Sequence, residues 1–289
     1  MRAALRSLAA AITLLAAVAL SGSASASGIS ATFDSTNQGF QTVELDEDGL
    51  THNTMPAAYV GSGGNPGGYI TFDDPDSGGM ERYGLFIAPN HLQPADYGAT
   101  VSFDLRSTAT QLRPSRLGFV TFSFGGFGDG VICVLSAPTA SYANYSFTVD
   151  ADNPCWKRTF SDQDATPADI ETALDESGQS FINADFGNGA DEVTDLDNFA
   201  VQPLEPRELS LKYKAKKKTF AGKLTGAACT SGAEVVLYRE GRPDPLAGAQ
   251  TNSSGKFSIE KKAKRGKSYY AVAPGTEDCA EAESGPVSG

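Results

Sequence analysis

The sequence predicts an all-β chain, two β-sandwich units in series with one short helix in the first. Three observations carry this. Apolar and polar residues alternate with a period of two in many short runs, Gly/Pro/Asp turns separate those runs, and charge and cysteines divide between two halves of the chain.

Taken in order, residues 1–26 have the form of a secretory signal. Arg2 and Arg6 precede an uncharged apolar run, Leu8 to Leu20, and Ala24-Ser25-Ala26 supplies the small residues of a cleavage site. The run is shorter than the roughly 20 apolar residues that cross a hydrocarbon core. No Cys follows it and no second apolar span occurs. Cleavage near Ala26 is expected to leave a secreted or cell-surface chain with no membrane span.

The first unit, residues 29–202, reads as strands. Val101, Phe103 and Leu105 alternate with Ser102, Asp104 and Arg106. Val120, Phe122 and Phe124 follow, the glycine-rich turn 125–130 reverses the chain into Val131–Ser136, and Tyr145, Phe147 and Val149 repeat the pattern. One helix is expected, with Thr166 as N-cap, Pro167 at the first helical position and Ala168 to Leu174 behind them. The stretch Gln202-Pro203-Leu204-Glu205-Pro206 reads as the start of a linker over 203–207.

That linker is also a charge boundary. Residues 27–206 carry 6 Lys+Arg and 26 Asp+Glu, whereas residues 207–289 carry 15 and 9. The acidic half excludes nucleic acid as its partner, because phosphate binding is driven by Lys and Arg. The basic run Lys214-Ala215-Lys216-Lys217-Lys218 reads as a solvated hairpin tip.

The second unit, residues 208–289, repeats the strand pattern on a smaller scale. Leu209, Leu211 and Tyr213 alternate with Ser210, Lys212 and Lys214, and Val235–Tyr238, Phe257/Ile259 and Tyr269–Ala273 supply further strands. Four cysteines in an exported chain imply two disulfides. Of the three pairings, only Cys133–Cys155 with Cys229–Cys279 leaves both bridges within a unit.

The segment Leu85-Phe86-Ile87-Ala88-Pro89-Asn90, followed by Asp96-Tyr97-Gly98-Ala99 and the strand Thr100–Arg106, resembles the laminin IV type A (laminin B) domain. Phe33-Asp34, Gly39-Phe40, Gly67-Gly68-Tyr69-Ile70, Trp156, Ala165–Asp169 and Leu196-Asp197-Asn198 agree with it in order. Phe40 stands where that family usually has Trp, and His91-Leu92-Gln93 where it has Phe-Leu-Gly. The resemblance implies a jelly-roll-like sandwich with extracellular-matrix architecture. It also implies one structural Ca2+ where the first and last strands meet, with Asp34 and Asp197 as ligands. Thr251–Phe257 makes the second unit similar to carboxypeptidase-regulatory-like and adhesin-stalk β-sandwiches.

No catalytic set is visible. His52 and His91 lie in no metal-ligand spacing, and neither a Gly-x-Ser-x-Gly elbow nor a phosphate loop before a helix occurs. Carboxylates are abundant (46–48, Asp73, Asp74, Asp76, Asp191, Glu192, Asp195), but a suitably spaced pair is expected by chance among so many. The chain therefore reads as a non-catalytic binding or adhesion module for polysaccharide or a matrix or surface protein. The alternatives are a spacer without a small-molecule site and a glycoside hydrolase. Tyr59, Tyr69, Tyr83, Phe127, Tyr142 and Tyr145 are the aromatics available to stack on a sugar, most of them expected in the core or at its rim.

Overall fold

The computed structural model describes residues 28–45, 51–74, 83–90, 92–113, 118–125, 130–159, 161–176, 179–187, 191–276 and 278–289. The signal-like segment, residues 46–48, His91, Phe127 and the side chains of His52 and Tyr83 lie outside them. In chain order the elements up to residue 202 are β1 (Ile29–Ala31), β2 (Gln41–Leu45), β3 (Thr51–Pro56), β4 (Ala58–Gly64), β5 (Gly67–Asp74), β6 (Tyr83–Ala88) and β7 (Thr100–Ser107). They continue with β8 (Thr121–Phe124), β9 (Val131–Val134), β10 (Ala143–Thr148), β11 (Trp156–Arg158), helix α1 (Pro167–Asp175), β12 (Ser180–Asn183) and β13 (Glu192–Gln202).

These strands form an antiparallel sandwich. One sheet runs β10-β7-β13-β5-β4 with β1 added on β13, and the other runs β11-β9-β8-β12-β6-β2-β3. The chain passes repeatedly from one sheet to the other, so strand neighbours are mostly distant in sequence. Period-two alternation sends Val101, Phe103 and Leu105 inward from β7, where all three are fully buried. Across the second sheet the register aligns Thr42, Phe86, Ile182, Phe122, Cys133 and Trp156 in one inward row. Phe199 of β13 joins the layers, packing against Phe40, Phe103 and Phe122 with ring centroids 5.3, 6.5 and 6.4 Å away. Burying each such ring contributes about 1.5–3 kcal/mol.

Helix α1 starts where the sequence places it. Thr166 Oγ1 accepts from the Asp169 amide, and the Asp169 carboxylate accepts from the Thr166 amide, closing a capping box with Pro167 behind it. The Thr166 hydroxyl also donates to the Asp169 carboxylate at 2.7 Å, and this bond, then the one from the Thr166 amide, holds that carboxyl below its ordinary pKa. Ile170, Ala173 and Leu174 form the buried face of the helix.

Strand β13 ends at Gln202, and β14 (Arg207–Lys214) begins after four intervening residues, so Arg207 belongs to a strand and not to the connector. Glu205 is paired by backbone hydrogen bonds with Asp278 and Ala280. Then come β15 (Thr219–Gly226), β16 (Glu234–Arg239), β17 (Ala247–Gln250), β18 (Lys256–Glu260), β19 (Ser268–Ala273), β20 (Ala282–Glu283) and β21 (Val287–Ser288). They make a three-stranded sheet, β14-β15-β18, and a second sheet β17-β16-β19-β20 with β21 on β19. Phe220, Leu224, Val235, Leu237, Phe257, Ile259 and Tyr269 are buried in a separate apolar cluster.

The turn before β18 is built as its residues suggest. Asn252 Oδ1 accepts from the amides of Ser254 and Lys256, and Gly255 adopts φ +73° against the Leu224 carbonyl, where no Cβ fits. Disulfides join Cys133 to Cys155 and Cys229 to Cys279, with Cα atoms 4.6 and 6.4 Å apart.

Candidate ligand-binding face

Alternation that turns one face of the first sheet to the core sets polar residues on the other, where Asn144 and Ser146 are exposed and Asp104, Asp195 and Asp197 are themselves buried. Register sets them in rows across the strands. One row reads Ala58, Thr71, Asp195, Arg106, across β4, β5, β13 and β7. A second holds Val60 opposite Tyr69, and Asp197 opposite Asp104 opposite Asn144. A third holds Ser146, Ser102 and Ala200.

Arg106 is the centre of this face. Its Nε donates to Asp195 Oδ2 at 2.8 Å. Its guanidinium carbon lies 4.6 Å from the Tyr142 ring centroid and 5.4 Å from that of Tyr69. Each such cation–π contact is worth about 0.5–2 kcal/mol, and the guanidinium packs into the corner where the two rings meet edge-on, their centroids 6.5 Å apart. Burial and then the charge of Asp195 raise the Tyr142 phenol above its ordinary pKa. Tyr142 Oη and Asp195 Oδ1 are buried and have no hydrogen-bond partner among the described residues.

Beside this cluster lies the turn between β4 and β5. A Cβ added to Gly64 would stand 2.6 Å from Asp197 Oδ2, and one added to Gly67 would stand 2.6 Å from Asp34 Oδ1. The two carboxylates thus abut the same glycine-lined turn. Asp197 accepts from the amides of Asn65 (2.5 Å) and Asn198 (2.7 Å), while Asp34 accepts from Thr32 Oγ1 at 2.7 Å. Burial holds the Asp197 pKa above its ordinary value; the two amides oppose this, and the charges of Asp104 and Asp34 add to it. Among the described residues no three His, Cys, Asp or Glu side chains are grouped to hold a metal ion. A cation at this turn would need carbonyl oxygens for most of its ligands, which calcium accepts.

Of the six aromatics named from the sequence, Tyr69 and Tyr142 lie on this face. Tyr59 is partly exposed and donates to the Asp34 carbonyl at 3.0 Å, and Tyr145 is a core residue stacked on Phe103. Sequence reasoning did not single out Arg106, Asp104, Asn65, Asn144 or Asn198. The signal available for two of them was parity, since Asp104 and Arg106 occupy the polar positions of β7.

A second polar cluster lies at the far end of β13. Arg113 Nη2 pairs with Asp185 Oδ2 at 2.7 Å, and Glu192 Oε1 accepts from the Phe186 amide at 2.9 Å. Asp185 and Glu192 are both buried. Burial pushes Asp185 up to about 7; Arg113 opposes the shift, and Glu192 and Asp74 add to it. Burial also raises Glu192.

No protein-family profile matches this chain, and no curated protein matches it. Among solved structures it is similar to the L4b domain of human laminin alpha-2, at 15% identity over 56% of this chain and 90% of that one, with a TM-score of 0.40. The family 11 carbohydrate-binding module of the cellulosomal cellulase Lic26A-Cel5E of Clostridium thermocellum is 13% identical over 62% and 96%, with a TM-score of 0.37. The adhesin domain of Epf from Streptococcus pyogenes is 12% identical over 91% and 97%, with a TM-score of 0.26.

Proposed function

We propose that this is a secreted, non-catalytic carbohydrate-binding module whose ligand lies on the outer face of the first sheet. One observation carries the reading: Arg106 packs against the edge-on pair Tyr69 and Tyr142 and is braced by Asp195, beside two buried polar atoms that no described residue satisfies. Leaving such atoms unpaired costs about 1–3 kcal/mol each. Sugar rings offer apolar C–H faces to tyrosine and hydroxyls to the amides and carboxylates around it. With Asp104, Asp195 and Asp197 set against one arginine, the face suits an uncharged glycan.

Titration calorimetry against soluble neutral polysaccharides tests this. Tyr69→Ala, Tyr142→Ala and Arg106→Ala are each expected to weaken binding by about 30-fold or more, the effect of truncating a central aromatic or arginine contact. Binding that survives all three substitutions would overturn the reading, as would release of sugar by the wild-type chain.

Two further proposals accompany it. The turn flanked by Asp34 and Asp197 takes a structural calcium ion that fixes the edge of the face. Residues 29–202 and 208–289 fold as separate units, joined by the connector and each carrying its own disulfide.

A further inference from the structure

The three-stranded sheet β14-β15-β18 turns Leu209, Leu211, Tyr213, Phe220, Leu224, Phe257 and Ile259 toward the core. Its opposite side carries Lys212, Lys214, Lys223 and Lys256, all exposed. At its tip the 3-10 turn Ala215–Lys217 and Lys218, at φ +51°, project three more exposed lysines. Lys223 and Lys256 stand directly opposite each other on neighbouring strands. Like charges in that position are destabilising, so folding alone does not favour them. Glu208 and Glu260 are the carboxylates of this face and lie at opposite ends of the sheet, opposite Thr225 and Thr219. Among the described residues no ion pair joins any of these lysines to a carboxylate.

We propose that this lysine face is a second binding surface, which docks the chain on a linear acidic polysaccharide. The side chains between the lysines are Ser210, Ala221, Thr225 and Ser258. They offer nothing to stack on a base and nothing to insert into a lipid headgroup layer, which separates a soluble polymer from nucleic acid and membrane. Lysine supplies point charges without the bidentate geometry of arginine, which suits a polymer read by charge density and not by one group. The face is about 10 Å wide by 25 Å long at ordinary strand spacings, enough to follow several charged sugars. The acidic first unit, net −20 over residues 27–206, would be held away from the same polymer.

The test uses the full chain with heparin and polygalacturonate as acidic probes, dextran as the neutral one and phosphatidylglycerol vesicles as the lipid one. Expected are binding to both acidic polymers, loss of that binding as salt rises, and no binding to vesicles. K212E/K223E should weaken the acidic polymers at least about tenfold, because releasing counterions is the driving term. R239E/R242E removes the same charge from the other sheet and its turn and should leave binding near wild type. Equal losses in both variants would reduce the effect to net charge and overturn the proposal. So would vesicle binding that K212E/K223E abolishes, salt-sensitive self-association that competes with heparin, or no acidic-polymer binding at low salt.

Discussion

Asp104 and Asp197 face each other across the antiparallel pair β7 and β13, two carboxylates where a sheet ordinarily sets opposite charges or apolar partners. The pair persists because each carboxylate has its own donors. Asp104 accepts from the side-chain amides of Asn65, Asn144 and Asn198 at 3.2, 2.9 and 2.7 Å. Asp197 accepts from two backbone amides, at a register shift that puts Asn198 at φ +50°. Relief of charge repulsion alone would make Asp104→Asn stabilising. The donors argue the reverse, because an asparagine NH2 group would face another NH2. Asp104→Asn is expected to lower stability by about 1–3 kcal/mol in denaturant unfolding, and a rise would show that repulsion outweighs the amides.

Calcium should act on the same corner. An ion that binds only the folded chain stabilises it by about 2.7 kcal/mol at a hundredfold excess over its dissociation constant. The melting temperature is expected to fall on chelation, to recover with added calcium, and to become indifferent to both in Asp197→Ala. A wild-type melt unchanged by chelator excludes the ion.

The bridge Cys229–Cys279 spans 50 residues and serves the smaller of the two apolar clusters. Its removal by Cys229→Ser with Cys279→Ser should cost about 4 kcal/mol in the chain-entropy treatment. In calorimetry the loss should fall on one transition and leave a second where it was. A single transition that moves as a whole would defeat the two-unit proposal.

The Asp185 cluster predicts a pH dependence of definite sign. Its pKa rises from about 3.9 in the unfolded chain to about 7 in the folded one. Between those values the folded chain holds a proton that the unfolded chain has released. The group's contribution is therefore fully present below about pH 4 and is lost as pH rises through 7, with a slope of at most about 1.4 kcal/mol per pH unit. Stability measured from pH 5 to 8 should decline in the wild type and decline less in Asp185→Asn. Parallel profiles would show that the proton resides elsewhere.

Much of the fold was legible because alternation acts locally. The runs at Val101–Arg106, Tyr145–Val149 and Leu209–Lys214, and the Thr166-Pro167 helix start, each need only their own residues to be read. Strand ends moved by a residue or two, as at Val120, which precedes β8. The proposed binding face was not legible, because Arg106, Tyr142, Asp195 and Tyr69 come from four segments that only the fold brings together. Tyr145 shows the complementary case: it shares parity with Phe147, and that parity already placed it inside. Asp185 follows β12 and Glu192 opens β13, and nothing in the sequence indicates that the fold buries the two together.

The rows of the first sheet begin and end on edge strands, β4 on one side and β10 on the other. A rod laid along such a row leaves the sheet at both edges, so the proposed binding face would measure a polymer's length and be blind to its termini. Five strands at about 4.8 Å spacing give a ruler of roughly 19 Å. Affinity should climb with each added sugar until an oligomer reaches that length, and then level off.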